Sequence, residues 1–227
     1  MQNVPDIQER WGDELCFDRY RRILCDLFPR LLEFPREREL ERNFLLAVLR
    51  RTLSLERAFL SAVGDNNGQM ALTLVRLNLD SLARTYALYW ADETAGMGAE
   101  AFAKKVWSGV AIRDIRLSRK GKKAARATDA WLIDQIKPLA TWIPDVYKAT
   151  SGAIHFSDFH MKQMLQQTTS KGVRQDGVLV VELAFGPTDT GVGPQHYEEV
   201  RQAFVHVTAL LATCIDHRCP DSAIGTA

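Results

Sequence analysis

The sequence predicts a mainly α-helical protein, a single bundle over residues 1–227 with one small β-hairpin before the C-terminal helix. Three observations predict it. Apolar residues recur at three- and four-residue steps in one segment after another. One central segment is apolar almost all round and therefore belongs at the middle of a bundle. The period changes only near residue 176, where a β-branched run follows an Asp-Gly pair.

The elements follow in order. Leu15, Tyr20, Ile23, Leu24, Leu27, Phe28 and Leu31 mark an amphipathic helix over 14–32, its end disturbed by Pro29 and Pro35. A second helix runs from about Arg36 to Val63, where GDNNG closes it. The third, Gln69 to Ala91, is the nearly all-apolar one. A short helix over 99–109 precedes a basic segment expected as a short helix or exposed loop. Thr128 or Asp129 caps a helix that Pro138 stops near Lys137. Pro144 suits the first turn of a helix through DVYKATSGAIHF, and Ser157 caps another through about Gln167. The only expected strand pair is a hairpin at about 172–186, turning at Asp176-Gly177. Gly193-Pro194 opens the last helix, and the tail 218–227 reads as a frayed end.

Composition narrows the function classes. With 46% hydrophobic and 25% charged residues in 227, the chain has the make-up of a soluble folded protein. Its polar start lacks the apolar stretch of a signal peptide, and no run of eighteen apolar residues marks a membrane span, so a cytoplasmic protein is expected. Cys16, Cys25, Cys214 and Cys219 form no C-x-x-C pair and are expected as reduced thiols. Cys214, His217 and Cys219 could hold zinc only with a partner knuckle that is absent, so no metal or other cofactor is expected.

The net charge of +1 hides an asymmetry. Residues 101–126 contain Lys104, Lys105, Arg113, Arg116, Arg119, Lys120, Lys122, Lys123 and Arg126 against Asp114, a local +8 that leaves −7 for the remainder. Such a segment can neutralise phosphates of a nucleic acid or stand as a solvated surface. Phe102, Trp107 and Trp131 supply the aromatic groups at its edges.

A polar stripe crosses the apolar central helix. Thr73, Arg76, Asp80 and Arg84 fall within an arc of about 80°, and buried charges require partners. The stretch from Asp145 to His160 offers them, since Tyr147, Ser151 and His155 repeat every four residues. The expectation is that Arg76 and Asp80 meet Ser151 and His155 between two packed helices, with Gly152 permitting their close approach. An imidazole oriented by a carboxylate beside an arginine can serve as general acid or base on a phosphate ester. The same residues can equally form a buried network that only fixes helix register. His160 lies about 140° round from His155 on a continuous helix, so the two do not converge on a metal unless the chain breaks at Ser157.

An arginine ahead of an acidic residue on a long central helix, then a small polar residue four before a histidine, resembles the HEPN superfamily and neighbouring bacterial helical-bundle families. Arg76, Asp80, Ser151 and His155 carry the resemblance, over about residues 37–167. It implies an all-α, often dimeric protein that engages RNA, in many members as a metal-independent endoribonuclease of toxin or antiviral systems. On that reading His155 is the acid/base, Arg76 and Lys148 stabilise phosphate, Asp80 and Ser151 orient, and Lys104 to Arg126 hold the RNA. The family's active motif places an arginine four to six residues before the histidine, whereas Lys148 stands seven before His155. Arg201 and His206 match the literal spacing but straddle the apolar stripe. The rival reading is a non-catalytic interaction or ligand-binding module in which the cluster is structural and the hairpin meets a protein partner.

Overall fold

The structure, a computed structural model, describes residues 16–119, 123–191 and 193–220. The protein is mainly helical, with eight α-helices and two small two-stranded antiparallel sheets among the described residues. Helix α1 spans Phe17–Leu32 and buries Tyr20, Leu24, Leu27 and Leu31 of the predicted stripe, while Ile23 is half-buried and Phe28 exposed; its expected first residues, 14 and 15, lie outside the described residues. Pro29 sits inside α1 rather than ending it at once, and the helix closes within a turn of it at Leu32.

After a 3-10 turn at Arg36–Arg38 come α2 (Glu39–Gly64) and α3 (Gly68–Glu93), the latter capped by the Asn67 side chain accepting from Met70 N–H at 3.0 Å. Seventeen of the 26 residues of α3 are buried. Burial on that scale needs cover on every side, and α2, α4 (Ala99–Trp107), α5 (Asp129–Ile136), α6 (Ile143–Ile154) and α8 (Glu198–Arg218) supply it. Buried polar groups fix the register: Asn78 on α3 donates to Thr208 on α8 at 2.9 Å, and Tyr89 donates to the Cys214 carbonyl at 3.0 Å. At one end Phe17, Phe59 and Phe204 join three helices, with Phe59 and Phe204 ring centroids 4.4 Å apart.

The basic segment departs from expectation. After a 3-10 turn at Ile112–Asp114 it forms a minimal hairpin, β1 (Arg116–Leu117) against β2 (Ala125–Arg126), so the later hairpin is not the only strand pair. Its cause is anchoring: Ile115, Leu117 and Ala127 are buried, and Ser118 N–H donates to Thr94 Oγ1 at the end of α3 at 2.8 Å.

The second hairpin pairs β3 (Thr168–Val173) with β4 (Leu179–Leu183), following α7 (Asp158–Gln166). Its turn is longer than a two-residue Asp-Gly loop. Gly177 N–H bonds the Arg174 carbonyl at 2.9 Å, Gly177 takes φ +80°, and Arg174 N–H bonds the Val178 carbonyl at 2.8 Å. A three-residue loop ending in a left-handed glycine results. This arm is seated on the start of α3 by Asp189, whose N–H donates to the Asn66 carbonyl and whose carboxylate accepts from Gly68 N–H at 3.0 Å. A Cβ on Gly68 would lie 2.5 Å from that carboxylate, so any other residue there would push Asp189 out of its present bond. A 3-10 turn at Pro194–Tyr197 leads into α8, and tail residues 221–227 lie outside the described residues.

Phe204→Ala should cost about 3–5 kcal/mol of unfolding free energy, because it opens a cavity under two stacked rings. Urea denaturation checks this, and a loss under about 1 kcal/mol would contradict the packing.

Candidate functional site

The polar stripe of α3 lies against α6, as its residue types require. Arg76 is 3% exposed; its guanidinium sits 3.9 Å over the Tyr147 ring centroid and 3.3 Å from an Asp80 oxygen. Asp80 also lies 3.7 Å from Arg84, which makes a closer bond of 2.8 Å to Asp129 at the start of α5. The result is a chain of charges running Arg76, Asp80, Arg84, Asp129. Arg76 Nε and Nη1 are buried without a hydrogen-bond acceptor among the described residues, so the Tyr147 ring face and the Asp80 charge stand in for one.

The rest of the expected constellation does not assemble. Ser151 donates to the carbonyl of Tyr147 one turn back, the local bond that short hydroxyl side chains favour inside helices. His155 is the residue at which α6 stops, with extended backbone (φ −123°, ψ 137°), and it is exposed, as is Lys148. Among the described residues no hydrogen bond or ion pair joins His155 or Lys148 to Arg76 or Asp80. The helix expected through Phe156 ends early because Ser157 caps α7: its hydroxyl accepts from Phe159 N–H, and His160 Nδ1 accepts in return from Ser157 N–H at 3.4 Å. Gly152 does allow a close approach, but of α7 and not α3, since a Cβ there would lie 2.7 Å from Phe159 Cβ. The Arg201/His206 pair also separates: Arg201 lies over Phe17, and His206 stacks on Trp142.

Thr73, a turn before Arg76, donates to the Ala153 carbonyl, which puts the His155 end of α6 beside the start of α3. The basic hairpin is fastened to Thr94 at the other end. Twenty-one helical residues separate these anchors, about 30 Å at 1.5 Å per residue. His155 and the described part of the basic segment are therefore fastened at opposite ends of α3.

At the basic pole Lys104, Lys105, Arg113, Arg116, Lys123 and Arg126 are all exposed, while Arg119 is half-buried and donates to Gln135. Lys120 and Lys122 lie outside the described residues. Arg116 and Arg126 are directly opposed across the strand pair, an arrangement that costs stability. None of the six exposed cations has a carboxylate within ion-pair distance among the described residues. Elsewhere Arg21, Arg30, Arg38, Arg42, Arg84, Lys137, Lys162, Lys171, Arg174 and Arg218 each do, whereas Arg22, Arg36, Arg50, Arg51, Arg57 and Lys148 are exposed without one among the described residues; this pole differs in gathering such cations within residues 104–126. Trp107, the last residue of α4, stands 73% exposed among them.

A cleft of about 1320 Å³ adjoins this pole, lined among others by Tyr86, Tyr89, Trp90, Glu100, Arg119 and Arg218. Sequence reasoning missed it, because its charges come from helix ends far apart in the chain. The buried Arg218 guanidinium is held by Glu41 and Asp92, and Arg38 grips the same Glu41 through two bonds of 2.8 Å. The carboxylate of Glu100 caps α2 by accepting from Leu40 and Glu41 N–H, while Asp92 caps α4 through Ala99 N–H. These charges hold helix ends together. No group of three or more metal-ligating side chains occurs among the described residues, the Cys214, His217 and Cys219 neighbourhood included. Burial pushes the Cys214 thiol up to about 12.

Comparison of the chain with protein-family models, with curated proteins and with solved structures finds no match.

Two outcomes follow. Burial raises the Asp80 carboxyl above its ordinary value against the opposing pull of Arg76 and Arg84. The folded chain therefore holds that proton more tightly than the unfolded chain. Asp80's contribution to stability is largest below the unfolded value and declines as pH rises through the raised folded one. Asp80→Asn should remove that slope; a variant whose stability keeps the wild-type dependence on pH in this range would contradict the assignment. In thiol titration with an aromatic disulfide, exposed Cys25 should react at once and buried Cys214 and Cys219 only on unfolding.

Proposed function

We propose that this chain is an RNA-binding helical-bundle module of HEPN-like kinship that holds a single strand at its basic pole and does not cleave it. The observation that carries this reading is the set of six exposed cations without carboxylate partners around an exposed Trp107. What marks this pole is the density of such cations within residues 104–126, where Asp114 is the one carboxylate in the sequence. Arg116 donates to the Ala124 carbonyl and still stands opposite Arg126, so an external polyanion lying over the pair would relieve their repulsion. An indole among those cations gives an unpaired base a face on which to stack.

Binding is preferred to cleavage because the residues expected to catalyse stand elsewhere. The segment 104–126 is fastened at Thr94 and the His155 end of α6 at Thr73, anchors about 30 Å apart along α3, and Arg76 is sealed under Tyr147 with 3% of its surface exposed. The Arg76, Asp80 and Tyr147 cluster is then structural, holding α6 on α3. Four free cysteines suit a reducing compartment, and the cytoplasm is the proposed location. Among the described residues no helix is long and apolar enough to cross a membrane.

Fluorescence anisotropy with labelled single-stranded RNA tests the reading. Trp107→Ala should weaken binding by about 1–3 kcal/mol. Lys104→Gln with Lys105→Gln should reduce the slope of log affinity against log salt by about one for each phosphate that is no longer neutralised. His155→Ala should bind as wild type does, and the RNA should remain intact. Unchanged affinity in the Trp107 and lysine variants, or cleavage that His155→Ala abolishes, would overturn it.

A further inference from the structure

The arm formed by α7, β3 and β4 is the part of the molecule that the RNA reading leaves unexplained. It lies at the opposite pole and exposes Phe156, Met161, Leu165, Leu179, Val181, Leu183 and Phe185. A two-stranded hairpin whose every strand residue but Thr168 is exposed is marginal in water. Apolar surface of this kind, gathered on one element, marks a contact with another protein.

The two edges of the hairpin differ. β3 carries Lys171 within a register break between Ser170 and Gly172, and a bulge and an edge lysine are the devices that block pairing with another strand. β4 reads Leu-Val-Val-Glu-Leu with no break, no proline and one charge, Glu182, already neutralised by Lys171 across the hairpin. One edge is protected and the other is left open.

The open edge is also self-complementary. Val178 accepts from Arg174 N–H and Ala184 donates to the Gln167 carbonyl, so the even-numbered residues of β4 face β3. By alternation Leu179, Val181 and Leu183 turn their N–H and C=O groups outward. An antiparallel pairing of two β4 strands about a two-fold axis at Val181 sets Val181 against its own copy and Leu179 against Leu183. It satisfies all three outward residues of each strand with about six hydrogen bonds. The same register puts Glu182 opposite Val180, so no like charges meet, and it joins the Leu179, Val181 and Leu183 rows into one apolar stripe.

We infer that two copies of this chain associate through their β4 edges, giving a continuous four-stranded antiparallel sheet β3-β4-β4-β3 with a two-fold axis at Val181. The basic poles then lie at the far ends of the pair, so the two copies can each hold a strand of RNA, and the inference stands whether or not RNA binds.

Sedimentation equilibrium of the full chain across micromolar concentrations should show a monomer–dimer equilibrium. Val181→Lys, which sets two ammonium groups face to face, should raise the dissociation constant by at least about tenfold while leaving the helical circular dichroism unchanged. In a Cys16→Ser, Cys25→Ser background, Val181→Cys should form a disulfide-linked dimer on mild oxidation, and Lys171→Cys should not. A wild-type chain that stays monomeric, a Val181→Lys dimer as tight as wild type, or cross-linking at Lys171 in preference to Val181 would each overturn the inference.

Discussion

The whole architecture answers to the burial of α3. A helix with seventeen of 26 residues inside the protein cannot be satisfied by one neighbour, and the chain wraps it with α2, α4, α5, α6 and α8. The same helix carries Arg76 and Asp80 into that interior, where an unpartnered charge is expensive. The bundle therefore has to bring Tyr147 over the guanidinium and Arg84 and Asp129 into line with the carboxylate. Asn78 to Thr208 and Tyr89 to Cys214 complete a set of directional bonds that permit only one register of α8.

The length of α3 then divides the surface. The end of α6 and the arm carrying the β3–β4 hairpin are fastened at its start, and the β1–β2 hairpin at its end, the anchors being about 30 Å apart along the helix. One pole presents cations and an indole, the other an apolar arm with one unprotected strand edge. Charge and hydrophobic contact are thus separated in space, and a polyanion at one end need not compete with a protein contact at the other.

The fold class and most helix bounds were legible because they rest on periodicity, which local sequence contains in full. The pairing of the α3 stripe with the face of Tyr147 was legible for the same reason. The failures have local causes. A hydroxyl four residues before a histidine reads as part of a site, but Ser151 had a carbonyl of its own helix within reach. His155 looked like the next step on that face, yet the capping box built by Ser157 and His160 ends the helix one residue before it. The β1–β2 pair was hidden because two-residue strands carry no period, and only the burial of Ile115, Leu117 and Ala127 reveals why the segment doubles back. The Arg218 cleft was invisible because Glu41, Asp92 and Arg218 meet only through tertiary packing.

The central claim is that the basic pole, and not the α6–α7 junction, meets RNA. Amide hydrogen exchange of the full chain with and without a single-stranded RNA tests it most directly, since exchange reports each segment separately. The account predicts slowed exchange across 99–126 and none across 145–166. Protection centred on His155 and Lys148, with 99–126 unchanged, would contradict it.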